Sequence, residues 1–463
     1  MNWRRVAFVL ILGYAAFLRL YALATAPPGL YRDEAMNGNN ALEALETHRF
    51  AVFYPENNGR EGLYIDVAAA SVAWFGNEPW ALRLPAAIFG VLTVAGVYLL
   101  GAECFGAWTG LAAAFFLATS FWHMNFSRLA FRVIAAPCFL AWSVYLLLAG
   151  IRRARWGLVA AAGVIYGLGF YTYIAYRATP LLLAFLLRRA DARTRRIFCW
   201  VAAAFTAPLA LDFIRHRGNF WERAGVVSVF HNQHPALELL LNTWRTARMF
   251  FSRGDLNWRH NIAYRAELYW PVAALFAVGV LIAAFRIYRD RKATALYALP
   301  LAWLAVAALP VVISDDVLPH ALRSLLMTPA VFLLAAVGAR GLYELLARRL
   351  PARVLHCATV LIVLWLAWEP YHSYFGVWAR NPSVPAAFDA GATDLARRIR
   401  QTPGDKIVFV PEADDTAAAP VMFLTGSYTA HGRRRQHIRY VPAAACPPEA
   451  AFCMVADATR YHK

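Results

Sequence analysis

Stretches of mostly apolar residues, each near the roughly 20 needed to cross a bilayer, recur along this chain and dominate what it can fold into. A soluble domain of 463 residues has no means of burying so much apolar surface, because 60% of the residues are hydrophobic and only 16% are charged. Mean hydropathy is +0.44. The expected class is therefore an all-α polytopic membrane protein, since helices satisfy their own backbone polar groups inside lipid.

The charged residues orient it. Arginine clusters at Arg152, Arg153 and Arg155; at Arg188, Arg189, Arg193, Arg195 and Arg196; at Arg286, Arg289, Arg291 and Lys292; and at Arg348, Arg349 and Arg353 all read as cytoplasmic loops. With a cytoplasmic N-terminus they fit about eleven spans: 6–25, 83–101, 107–126, 133–150, 156–171, 173–187, 197–214, 270–287, 293–313, 324–347 and 354–371. Residues 63–77 are apolar but short and contain Asp66; they read as an interfacial or re-entrant helix, because a further full span would invert every later loop. The first span resembles a signal peptide, with Ala22-Leu23-Ala24 as a small-residue site. Its length and Arg19 favour an uncleaved anchor. The site expected from this topology is extracytoplasmic, on a cell (inner or plasma) membrane.

Two regions follow from that division: a transmembrane domain over 1–371, whose outer loops 26–62 and 215–269 build a site, and a small extracytoplasmic α/β domain over 372–463. In the latter, 385–400 is helix-like, while 407–410 and 438–441 are strand-like. Arg433-Arg434-Arg435 reads as a solvated turn. Cys446 and Cys453 can pair if the tail faces an oxidising compartment; the other four cysteines lie in or beside spans. Formal charge is +18, carried almost wholly by arginine, yet no soluble basic domain or nucleic-acid motif is present, so no nucleic-acid partner is expected.

The polar groups collect where helices leave the membrane on one face. Asp33 and Glu34 follow Pro27-Pro28-Gly29, which breaks the first span. Asp33 suits either a general base within reach of a hydroxyl or a cap on the next helix. Glu61 precedes Leu63-Tyr64-Ile65, with Asn57, Asn58 and Arg60 as nearby donors. Gly254-Asp255-Leu256-Asn257-Trp258-Arg259-His260-Asn261 joins imidazole to carboxylate, a combination suited to zinc, manganese or magnesium. His231 and His234 rank lower. Arg128 and Arg132 share a face if their segment is helical; with Arg323 they suit either snorkelling anchors or a lipid-linked phosphate. Tyr171, Tyr173 and Tyr176 read as an interfacial belt.

With these residues in place, the chain resembles the bacterial branch of the dolichyl-phosphate-mannose–protein mannosyltransferase family, which includes the aminoarabinose transferases acting on lipid A. The likeness rests on Arg32-Asp33-Glu34-Ala35, Asn58-Gly59-Arg60-Glu61-Gly62-Leu63-Tyr64, Ala81-Leu82-Arg83-Leu84-Pro85, Ser127-Arg128, Trp258-Arg259-His260-Asn261 and Leu322-Arg323-Ser324. It implies the C-type glycosyltransferase fold and a polyprenyl-phosphate-linked sugar donor held at the outer interface, the acceptor being a lipid, glycan or protein. It also implies catalysis by Asp33 with Glu34 beside it, and a divalent metal or phosphate organised by Glu61 and His260. Arg60, Tyr64, Arg128, Arg132, Arg259, Asn261 and Arg323 would contact substrate. Gly59-Arg60-Glu61 stands where family members often carry Lys-Pro-Pro. A transporter or lipid flippase is the competing class, but it needs polar groups near the bilayer midplane, where this chain has few.

Overall fold

A computed structural model of the chain describes residues 3–57, 59–220, 228–290, 294–315, 317–411 and 416–454. Asn58, Arg291, Lys292 and Lys463 lie outside them. Seven helices are long and apolar enough to cross a membrane: Pro79–Phe105, Arg132–Arg152, Ala192–Arg215, Trp270–Arg289, Thr294–Val312, Arg323–Leu346 and Ala352–Trp378. Shorter apolar helices occupy Ala107–Ala118, Trp156–Gly169 and Ile174–Leu187, and α1 (Trp3–Leu20) opens the bundle. Each expected span thus contains helix, but two of them are broken: 173–187 is a 3-10 turn, Ile174–Ala178, followed by the helix Pro180–Leu187. The run 107–126 divides into α5 (Ala107–Ala118) and α6 (Phe121–Phe126), because Ser120 caps the second by accepting from the His123 amide.

Close backbone approach holds two of the long helices together. A Cβ on Gly279 would strike the Leu334 carbonyl, and one on Gly338 would strike that of Leu275. Small residues facing each other let Trp270–Arg289 and Thr328–Leu346 pack at backbone distance, the usual means of association where lipid removes the hydrophobic drive between helices. α1 is tied down by charge. Arg19 is buried and donates to the carbonyls of Ala15 and Ala118 and to His123 Nδ1 at 2.9 Å.

α3 (Leu63–Phe75) has 13 residues. At 1.5 Å per residue it measures about 20 Å, short of the roughly 30 Å hydrocarbon layer. Ala107–Ala118 and Trp156–Gly169, at 12 and 14 residues, are of similar length. Before α3, β1 (Phe53–Tyr54) and β2 (Arg60–Glu61) form a minimal antiparallel hairpin.

The tail carries a three-stranded parallel sheet in the order β4-β3-β5, from β3 (Lys406–Pro411), β4 (Ile438–Ala443) and β5 (Phe452–Cys453). Cys446 and Cys453 are disulfide-bonded. The expected helix 385–400 is two helices, Ser383–Ala387 and Ala390–Gln401, separated at Asp389 (φ +49°). Arg433 to Arg435 lie in the helix Ala430–Gln436 rather than a turn. The tail packs directly on α2 (Arg32–Thr47). Asp389 accepts from the Arg32 amide and side chain, Thr393 accepts from the Leu30 amide, and Asn39 donates to the Ala419 carbonyl.

Candidate active site

α2 begins one residue before the acidic pair, so Asp33 and Glu34 leave its first turn in different directions. Glu34 points inward and is fully buried. Arg83 grips it with two bonds, Nε to Oε1 at 2.8 Å and Nη2 to Oε2 at 2.9 Å. The Tyr31 and Ala130 amides donate to the same carboxylate at 3.2 and 2.8 Å, the first being half of a capping box. Arg83 also donates to the carbonyls of Pro27 and Gly29. Glu34 thereby joins the first loop, the start of Pro79–Phe105 and the turn before Ala130. Its partners all come from within the protein, and it does not line the Asp33 cavity.

Asp33 faces outward. Its Oδ1 accepts from Asn57 Nδ2 at 3.1 Å, and no cap bond to Ala35 or Met36 is made. It lines a cavity of about 170 Å³ with Asn37, Asn57, Arg60, Phe131, Arg132, Val133, Tyr173 and Leu322. Arg60 reaches this wall from β2, donating to Asn37 Oδ1 at 2.8 Å and to Asn40 Oδ1. Burial and the neighbouring Arg132 push its guanidinium down to about 10, against the opposing pull of Glu56 and Asp33. One carboxylate thus faces two guanidinium groups across a small, partly open chamber.

Arg128 and Arg132 do not share a helical face. The chain turns after α6 and re-enters a 3-10 turn at Arg132–Ile134, which sends the two side chains apart. Arg128 is buried and donates to the carbonyls of Leu18 and Tyr21 at the end of α1 and of Ala26 in the loop beyond it. It closes a helix end and does not reach the cavity wall. Arg132 does reach it, with its Nε donating to Glu61 Oε2 at 2.9 Å and its guanidinium over the Tyr173 ring.

Glu61 and His260 were expected to act together at a metal, but the structure gives them separate partners. Glu61 lies between Arg132 and Arg177, whose Nη2 is 3.3 Å from Oε1. Burial pushes its carboxyl up, and the two arginines more than reverse that, leaving it below the ordinary carboxylate range. His260 Nδ1 is 2.9 Å from Asp255 Oδ2, which also accepts the Ala321 amide. His320 completes a group whose donor atoms all lie within 4.8 Å of one another. Two imidazoles and a carboxylate suit a divalent cation such as zinc, so the possible metal centre is Asp255, His260 and His320. Burial and the nearby Asp255 charge raise Glu267 well above the carboxylate range; it accepts the Asp255 amide.

The remaining expected contacts have partners within the protein. Tyr64 is buried, its hydroxyl donating to the Leu82 carbonyl. Asn261 donates to the Arg265 carbonyl and to Glu267. Arg323 donates to Ser314 Oγ at 2.5 Å. Arg259 lies 4.0 Å from the centroid of Tyr31, directly before Arg32 and Asp33. The metal group adjoins the cavity along the chain, because His320 and Ala321 precede the lining residue Leu322. Sequence reasoning missed Asn37, Arg177 and His320 as site residues. His320 stands two residues before the Leu322-Arg323-Ser324 motif; Asn37, inside a helix, gave no signal.

Comparison with known structures now decides the fold. The chain aligns over 93% of its length, and 89% of the other chain, with Cupriavidus metallidurans ArnT bound to undecaprenyl phosphate (TM-score 0.62, 15% identity). This is a C-type glycosyltransferase fold. The archaeal oligosaccharyltransferase AglB from Archaeoglobus fulgidus, in complex with an inhibitory peptide and a dolichol-phosphate, is also similar (TM-score 0.57, 14% identity, 94% of this chain and 69% of that one). In sequence, residues 66–213 match the family described as dolichyl-phosphate-mannose-protein mannosyltransferase. Bacillus subtilis (strain 168) YkcB, whose name proposes a mannosyltransferase, is 26% identical over 218 residues, 45% of this chain. The chain spans 30% of that relative's length. In this chain the Asp33 cavity lies where the first loop meets the bundle.

Proposed function

We propose that this protein is a membrane glycosyltransferase that moves a sugar from a polyprenyl-phosphate-linked donor to an acceptor hydroxyl on the outer face of the membrane, with inversion. The observation that carries the reading is the cavity pairing Asp33 with Arg60 and Arg132. Asp33 takes the proton of the attacking hydroxyl while that oxygen bonds to the anomeric carbon. The bond to the lipid phosphate breaks, and the electron pair leaves on phosphate oxygen. Guanidinium groups on the cavity wall stabilise that developing charge. The energy resides in the donor, so no nucleotide site is required.

The solved relatives named above hold undecaprenyl phosphate and dolichol-phosphate, and a donor of that chemical class fits the cationic wall here. Asp255, His260 and His320 are the residues that would hold a divalent metal, in preference to the Glu61–His260 pair. There it would supply positive charge beside the cavity. In this reading the N-terminus lies in the cytoplasm and the tail domain outside, with the transmembrane and tail regions dividing near residue 371.

The experiment is to incubate the purified chain with a panel of polyprenyl-phosphate sugars and cell-envelope lipids, glycans and proteins. Acceptor-dependent release of polyprenyl phosphate is expected. Vectorial movement of intact donor across vesicles, without cleavage, would favour the flippase reading instead.

A further inference from the structure

The carboxylate expected to bind metal is already committed. Glu61 is buried, and its two oxygens are divided between cations from different loops: Oε2 takes Arg132 Nε at 2.9 Å, and Oε1 takes Arg177 Nη2 at 3.3 Å. Arg132 starts the helix after the turn that follows α6. Arg177 belongs to the 3-10 turn Ile174–Ala178, packs against Phe213 and Phe220 at 4.7 and 4.8 Å, and donates to the Phe220 carbonyl. Arg132 also donates to the Gly59 carbonyl, so the hairpin grips it twice.

We propose that Glu61 is a positioning residue: it fixes Arg132 on the cavity wall, with Arg177 as counterweight, so that the Asp33 chamber presents an oriented guanidinium to a lipid phosphate. Use by a phosphate rests on the function proposed above; the orientation itself does not. The physical reason is direct. Arg60 and Arg132 are neighbouring buried cations that repel, and a long side chain loses rotamer entropy when it is fixed. A buried carboxylate offsets both and leaves the guanidinium plane defined.

This role predicts the opposite of simple charge counting. Glu61→Gln removes an anion beside the phosphate site, so a purely Coulombic contribution would tighten binding of undecaprenyl phosphate. Positioning predicts binding about tenfold weaker, the loss of one oriented charged hydrogen bond.

The test uses the full chain in nanodiscs. Phenylglyoxal labelling of Arg132, read by peptide mass spectrometry with exposed Arg434 as internal control, should be several-fold faster in Glu61→Gln than in wild type. Glu61→Asp should restore slow labelling, and a folded variant will show a thermal midpoint near wild type. Undecaprenyl phosphate binding should weaken in Glu61→Gln, and Glu61→Gln with Arg132→Lys should be no worse than Arg132→Lys alone. Unchanged Arg132 labelling overturns the proposal, as does tighter binding, additive loss in the double variant, or loss of a bound divalent metal from Glu61→Gln. If wild type binds no undecaprenyl phosphate, the functional reading falls, while the labelling still decides the role of Glu61.

Discussion

Glu34 is the sharpest place to separate chemistry from architecture, because it adjoins Asp33 in sequence and has the opposite environment. It is fully buried and receives four hydrogen bonds, two from Arg83 and one each from the amides of Tyr31 and Ala130. Glu34→Ala strands the Arg83 charge and both amides. Breaking a buried ion pair from one side costs about 3–5 kcal/mol, a factor of roughly 10² to nearly 10⁴ in the folding equilibrium. For a chain of this length melting as one unit, that is a fall of about 3–5 °C in Tm. Tryptophan-monitored melting in detergent or nanodiscs reads it directly. Replacing both partners by apolar residues, Glu34→Leu with Arg83→Met, should cost clearly less than the sum of the single changes, since no unpaired charge remains. Transferase activity should track the folded fraction throughout. A Glu34→Gln protein with unchanged Tm and kcat lowered by about 10² or more would refute this and return Glu34 to the chemistry.

Other outcomes follow from the same geometry. Substituting Asp255 or His320 by Ala should lower divalent-metal content by elemental analysis as much as substituting His260 does, whereas Arg128→Lys should leave it intact. Glu267 has its folded pKa raised well above the unfolded value of 4.5 by burial and by Asp255. The folded protein therefore holds a proton that the unfolded chain gives up, and stability is lost as pH rises from the unfolded value through the folded one. Glu267→Gln should remove that loss, its Tm advantage over wild type growing with pH; an advantage that shrank would contradict the assignment. Gly338→Val should prevent folding of the bundle, because the Leu275 carbonyl occupies the space a side chain needs. A normal expression level and melting curve would count against that packing.

Much of this architecture is visible in the residues themselves. Apolar length located the helices, because lipid enforces backbone satisfaction within each span, and the acidic first loop marked the face that carries the cavity. Finer features were hidden where tertiary contact overrides local pattern. Arg128 and Arg132 stand four apart in sequence, yet Ser127 to Ala130 form a turn, which no periodicity reveals. Glu61 looked like a ligand because its counter-charge Arg177 lies 116 residues away. Glu34 and Asp33 were indistinguishable as letters; which one turns inward is set by Arg83, whose motif gave no hint of its partner. His320 became part of the metal group only when the turn at Leu318-Pro319 brought it to His260, the ring centroids 5.0 Å apart. The helix break at Ser120 was legible as a capping residue but lay inside an otherwise continuous apolar run.

The central claim is that Asp33 accepts the acceptor's proton in a cavity whose arginines hold the donor phosphate. It is tested most directly by Asp33→Asn in the purified full-length chain, supplied with saturating polyprenyl-phosphate sugar and an acceptor turned over by wild type. Transfer should fall by about 10² to 10⁴ while undecaprenyl phosphate still binds within a few-fold of wild type. Wild-type turnover by that variant would remove Asp33 from the reaction and with it the mechanism drawn here.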